Sequence, residues 1–552
     1  MKIQKFQQEN PTNTQQTQFK GFGDIALRYL ATNQAVGANA VDLCFMVTPR
    51  STSDFIRRGD DAGWETLRRE SMGMINDTCL GLYGASAGLL IATLMGIDNK
   101  FGEIKPNKIL AAPETLNILA ENKALQIESN QSDLEYLKNI LRNIKAFNPN
   151  AKGVEISEDG FVKLDNATID EIAEIFNEKL SKNVKYNDWS KKDADKSLEV
   201  VIHKITEKTG AQSKYVLSSS DGKTISETNL KTLLEDIYKI SNAFNQPKVK
   251  AAFEEQVRNG KTIADNSFMK TMKKYMFAKS CAGFGLAALV GVSAQPINMY
   301  LTKKKTGSDG FVGVEGRQKD DSKGFLALRL ATGFVGFSGV LASLHCNFKN
   351  LKGLPKEFME KMAFKSFWPT INQLKGVYGI TILSRILSTR DKDELRESVT
   401  KDTLGFTSWL ILGDIVNKMV AEFVDKSTMN RTQETENVGF FKRVFNSTLK
   451  TRDEVLISTL AENGVSTVKQ DGEKTVVKSF KEMLKDLDKL PDAIKKVTKK
   501  RLRTLNGAQC AGYLFSGLVL GLGIPNLNIA ITNHLDKKRK AEAAKKMEAH
   551  RA

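Results

Sequence analysis

The chain has 552 residues, a formal net charge of +18, 41% hydrophobic residues, five cysteines and four histidines. That length leaves room for several cores. The odd number of widely spaced cysteines, with no Cys-x-x-Cys pair, and the scattered histidines argue against a disulfide framework, a zinc centre or a Cys–His or Ser–His–Asp catalytic set. The basic excess suits nucleic acid, anionic lipid or loops flanking membrane segments, and where the charge sits decides among them.

Residues 1–19 are rich in Gln, Asn and Thr and have no apolar centre, so a disordered tail is expected rather than a cleavable signal. An interrupted apolar element follows near 29–47. Thr78 to Ile97 is uncharged and carries the pair Gly84-x-x-x-Gly88, the spacing of close helix contacts in lipid. Residues 98–276 change character. Charged text with apolar residues at helical spacing, as in Ser132–Ile144 and Asn166–Leu180, predicts a water-soluble helical insertion. Asn166 or Thr168 is the expected cap of the second helix. Two Asp-Gly hairpin signals lie between helices, at 154–164 and 215–226.

Ser280 to Thr302 has no formal charge and is bounded by Lys279 and by Lys303, Lys304 and Lys305, long enough to cross a hydrocarbon layer. Residues 306–323 read as a linker. Leu330 to Phe348 is again uncharged, Gly376 to Ser384 is a shorter apolar patch, and Thr403 to Val424 starts apolar before meeting Asp414, Lys418 and Glu422. Residues 425–503 predict a second soluble insertion with a hairpin near Asp471-Gly472. Thr504 to Leu535 is uncharged if His534 is neutral, and 536–552 is a basic helix-forming tail.

Several stretches recur in the same order. Cys281-Ala-Gly with Pro296 and Asn298 is echoed by Cys510-Ala-Gly with Pro525 and Asn528. Leu67-Arg68-Arg69-Glu70 is echoed by Leu395-Arg396-Glu397, 26–32 by 327–332, and the hairpin and helix from Ser219 by those from Lys469. Collinear echoes point to a duplication, 20–305 and 324–535, each copy with three apolar elements. Three spans per copy would invert the repeat. Basic residues at both ends of the third element oppose this, and a helix break at Pro296/Asn298 and Pro525/Asn528 would let that element turn back.

The expected fold is therefore mainly α: a duplicated helical membrane protein with mostly helical soluble insertions carrying small β-hairpins. The expected role is membrane interaction or scaffolding, with a small-solute transporter or channel, or a soluble helical membrane-surface protein, as alternatives. Asp414, Lys418 and Glu422 share one helical face. They form either an intramembrane ion path or a self-paired stripe. Gly283-x-Gly285-x-x-Ala288 follows helical text rather than a strand, and Gly222-Lys-Thr and Gly260-Lys-Thr lack the first glycine of a phosphate loop. No nucleotide, metal, other cofactor or enzymatic activity is therefore expected. Anionic lipid is the expected partner of the basic tail, which is placed on the cytoplasmic side. A protein partner is expected for 98–276. Nucleic acid is not favoured, because the basic clusters lack interleaved aromatics.

Overall fold

The computed structural model is mainly helical and describes residues 26–551, apart from 31–33, 103–111, 150, 152–153, 158, 192–193, 315–317, 365–368 and 431–437. The tail expected over 1–19 lies outside the described residues.

Helices Pro113–Glu128, Asp133–Arg142, Asn166–Ser181, Leu198–Thr209, Leu230–Phe244 and Pro247–Arg258 enclose a four-stranded antiparallel sheet of order β2-β1-β3-β4 (β1 Ile144–Phe147, β2 Phe161–Lys163, β3 Tyr215–Ser218, β4 Ile225–Thr228). The second hairpin signal becomes β3–β4. The first supplies only β2 and an isolated bridge between Ile156 and Val162, because β2 pairs with β1 instead. Ser132 caps the Asp133–Arg142 helix by accepting from the Glu135 N–H. Asp165 caps the next by accepting from the Thr168 N–H, one residue ahead of the expected Asn166. The apolar stripes of these helices meet in one core that includes Ile140, Ile172, Phe176, Trp189, Leu234 and Phe244.

The second insertion is smaller. Helices Arg452–Glu462 and Phe480–Asp488 bury Leu456, Leu460, Met483 and Leu487 beside the expected hairpin (β7 Val468–Asp471, β8 Lys474–Val477), and a two-residue pair (β5 Met429–Asn430, β6 Thr448–Leu449) precedes them. The two insertions pack together, Leu198–Thr209 against Arg452–Glu462. The exchange is reciprocal: the Glu454 carboxylate accepts from the N–H groups of Gln212 and Ser213, and Glu207 accepts from the N–H and hydroxyl of Thr467.

The rest is a bundle of long rods. Gln34–Asp42, a π turn at Leu43–Val47 and Thr48–Arg58 run on as α1. Asp60–Thr78 (α2) and Leu80–Leu94 (α3) form one rod bent by 49°. Ser267–Thr306 (α4), Lys323–Ser343 (α5) and Ile371–Leu387 (α6) follow. Lys392–Thr407 (α7) continues through a π turn into Gly413–Val424 (α8), and Asp492–Ser516 (α9) through a π turn at Gly517–Gly523 into Ile524–Arg551 (α10). Phe268, Met272 and Tyr275 of α4 lie in the core of the first insertion, so α4 starts inside it and extends about 60 Å. Starting from the insertions, the chain runs away along α1, back along α2–α3, away along α4 and back along α5. It then runs away along α6, back along α7–α8 and away along α9–α10.

Pro296 lies inside the continuous helix α4, and Pro525 is the second residue of α10; the chain turns back at neither. A helical proline has no N–H for the carbonyl four residues earlier. For Pro296 that carbonyl belongs to Val292, and the Ser384 hydroxyl of α6 donates to it at 2.8 Å, so a neighbouring helix makes the proline tolerable. Asn298 and Asn528 are contact residues. Each side-chain amide donates to a backbone carbonyl of a crossing helix, Asn298 to Glu65 (3.0 Å) and Asn528 to Glu397 (3.1 Å).

Candidate functional site: an ionic network buried between helices

α2 and α7 carry charges at helical spacing: on one, Glu65 with Arg69 and Glu70 four and five residues on, and on the other, Glu394 with Glu397, Lys401 and Asp402 three, seven and eight residues on. That spacing puts each set on one helical face. Both faces turn inward, and arginines from α1 and α6 meet them. Arg385 of α6 donates to Asp402 at 2.9 Å, lies 3.5 Å from Glu70 and reaches the carbonyl of Arg69. Arg50 of α1 approaches the same Glu70 at 3.4 Å and the Leu520 carbonyl in the π turn of the second long rod at 3.5 Å. All four side chains of this tetrad are buried. Two further clusters flank it. Arg390 forks onto Glu65 (2.6 Å) and Glu394 (2.8 Å), and Arg58 onto Glu397 (2.6 Å), with Asp54 at 3.6 Å. Such planar, two-pronged pairing is what guanidinium supplies and ammonium does not.

The clusters tie distant parts of the chain together. Arg68 of α2 donates to Asn298 and Thr302 of α4, and Arg396 of α7 donates to Thr532 of α10. The two crossings use the same residue types, an arginine on the short helix and Asn/Thr one turn apart on the long one. Within the network Arg50 Nη2, Asp402 Oδ2, Asn76 Oδ1 and the Tyr378 hydroxyl are buried and bond no described protein group.

The glycine pairs are close contacts. A Cβ on Gly283 would stand 3.1 Å from the Cα of Gly84, and one on Gly521 would stand 3.0 Å from Pro49. Both helix pairs therefore depend on the missing side chain.

The stripe on α8 is divided. Asp414 is exposed and pairs with Lys418 at 3.0 Å, whereas Glu422 is buried and faces Arg443 of the short helix Phe440–Asn446 at 3.3 Å. It does not join the network. The residues that do, Arg50, Glu70, Arg385 and Asp402, were not singled out from the sequence as site residues. A signal existed: Arg385 ends the apolar patch Gly376–Ser384 and Arg50 follows Pro49 within apolar text, and such placements need carboxylate partners elsewhere.

Among the described residues no group of three or more His, Cys, Asp or Glu is arranged to hold a metal ion. Comparison with family models, curated proteins and solved structures gives no match to this chain.

Proposed function

We propose that the chain is a duplicated integral membrane protein of interaction or scaffold type, its bundle held by the buried ionic network and its joined insertions presented on one side of the membrane. One observation carries the reading: the bundle is apolar outside and charged inside. α4, α5 and the α9–α10 rod are long and apolar enough to cross a membrane, and the bent α2–α3 pair also qualifies as a candidate span. Leu89, Leu94, Leu289, Phe334, Val335, Leu518 and Leu522 face outward, while the arginines and carboxylates face one another. Lipid accepts the first arrangement, and pairing makes the second tolerable.

Under this reading α1, α2–α3 and α4 correspond to α6, α7–α8 and α9–α10, running in the same directions. α5 is the added rod that turns the chain between copies. The repeat is then parallel, with its axis along the membrane normal, rather than inverted. Residues 26–32 and 327–332 drop out of the correspondence, since Arg28 pairs with Asp453 while Arg329 donates to the carbonyls of Leu387 and Thr389.

Two measurements test the proposal. The full chain should resist carbonate extraction. Single cysteines replacing Lys303 and Lys537 should label from one face, and those replacing Lys274 and Arg503 from the other. Labelling of Lys303 and Lys537 from opposite faces would eliminate the parallel repeat, and a chain monodisperse without detergent would eliminate the membrane.

A transporter is the second reading. It is favoured by the buried polar atoms Arg50 Nη2, Asp402 Oδ2, Asn76 Oδ1 and the Tyr378 hydroxyl, which lie between the proposed copies without a partner among the described residues. On that reading the ion-path residue is Asp402, not the outward-facing Asp414. Asp402→Asn should abolish a flux seen in liposomes with the unaltered chain, whereas Asp414→Asn should leave it.

A further inference from the structure

A cavity of about 320 Å3 opens where the first insertion, the end of α8 and the start of α9 meet. Its walls carry Lys208, Lys426, Lys450 and Arg501, four cations from separate parts of the chain, against the carboxylates Glu207 and Glu462. Glu207 accepts the Thr467 N–H and hydroxyl through its Oε1. Arg501 is fixed by donating from Nε to the Ser427 hydroxyl at 2.8 Å. A concave site with converging cations from different elements favours a compact multivalent anion over a solvated monovalent one.

A second feature adjoins the cavity. α8 ends at Phe423 and Val424, two residues before Lys426, and Phe423 is 86% exposed. Beside it the helix Phe440–Asn446 exposes Phe441 and Phe445, held in place by the Arg443–Glu422 pair. Phenylalanines pointing outward next to converging cations match the two zones of a phospholipid, acyl chain and headgroup. The level agrees as well, since Arg501 lies just before the uncharged run that begins at Thr504.

We infer that this cavity binds a phosphate group. Lipid headgroups and free phosphate compounds share that chemistry, and the test separates them. Only the lipid source rests on the membrane reading; the phosphate site does not.

The full chain in neutral detergent is titrated with inorganic pyrophosphate by calorimetry and, separately, with phosphatidic acid by native mass spectrometry, phosphatidylcholine serving as the neutral control. K208Q/K426Q should weaken whichever probe binds by about tenfold, the size expected for losing charged hydrogen-bond partners. K223Q, on the remote β3–β4 turn, should leave it unchanged, and added salt should weaken binding. Phosphatidic acid alone binding assigns the site to lipid, and pyrophosphate binding as well assigns it to phosphate in general. The inference is overturned if neither probe binds or if K208Q/K426Q binds as the unaltered chain does. A chain that stays in solution without detergent yet binds pyrophosphate in a Lys208/Lys426-dependent way would refute the membrane reading and keep the site.

Discussion

The first insertion and the rod bundle distribute their apolar and charged residues in opposite ways. Between Pro113 and Asn266 the large apolar side chains converge on one core, and of the described ones only Leu125 and Ile225 are prominently exposed. In the bundle, leucines and phenylalanines of α3, α4, α5, α9 and α10 face outward while Arg50, Glu70, Arg385, Arg390 and Asp402 are buried. The hydrophobic effect drives the first arrangement because water is its solvent. In the second, the cohesion comes from close glycine contacts and paired charges, which need no water outside. On the proposed membrane reading, the contrast follows from the solvent that each region meets.

The largest effect expected within this contrast is from Arg385→Leu. It leaves Asp402 without its ion-pair partner and Glu70 with Arg50 at 3.4 Å and its neighbour Arg69 at 3.2 Å. Breaking a buried pair on one side costs about 3–5 kcal/mol, so the variant should lose most folded protein, read as recovery of a monodisperse species and its melting temperature in detergent. A variant that melts with the unaltered chain would show that the network is not what joins the helices. Next in size is Phe334→Lys on α5, a residue 75% exposed. Against lipid a central lysine costs about 2.5–3.5 kcal/mol of insertion, whereas against water it would cost nothing measurable. Leu125→Lys in the insertion provides the internal comparison, with an expected change within about 0.5 kcal/mol. Equal tolerance of both lysines would remove the distinction between the regions.

Much of the insertion was legible in the sequence because water-facing helices announce themselves. Asn166–Leu180 reads with its apolar residues on one face and is found as Asn166–Ser181. The turn chemistry of Asp221-Gly222 and Asp471-Gly472 likewise fixes β3–β4 and β7–β8. The bundle was legible as long uncharged runs but not as an arrangement. Uncharged runs have no polar face to give orientation. The crossings of Arg68 with Asn298 and of Arg396 with Thr532 are the contacts that favour the proposed correspondence. The network was least legible. Its members come from four helices far apart in sequence, and the charges on α2 and α7 read locally as solvated text. Pro296 misled for a related reason: its cost depends on whether a neighbour can serve the orphaned carbonyl, and Ser384 lies in a different apolar patch.

The glycines allow a finer test inside the bundle. Gly283→Ala puts a Cβ 3.1 Å from the Gly84 Cα and 2.8 Å from the Phe364 ring, and overpacking of this kind costs about 1–3 kcal/mol. Gly285→Ala, two residues along the same helix, meets nothing within 4 Å and should gain up to about 1 kcal/mol from helix propensity. Opposite shifts in melting temperature are the expected result. Equal shifts would mean that α3 and α4 are not in contact along this face.

The smallest effect concerns the join between the insertions. His203 is buried where Leu198–Thr209 meets Arg452–Glu462, its Nδ1 3.1 Å from the Thr467 hydroxyl. Burial pushes the imidazole below its ordinary value, partly opposed by Asp453, Glu199 and Glu207 and assisted by Arg28. The unfolded chain therefore binds this proton more readily than the folded one. The stability contributed by neutral His203 is complete above the unfolded value of about 6.5 and is lost as pH falls from there toward the lower folded value. The melting temperature should drop between about pH 7 and pH 5, and His203→Gln should flatten that slope. A slope unchanged in His203→Gln would place the acid sensitivity elsewhere.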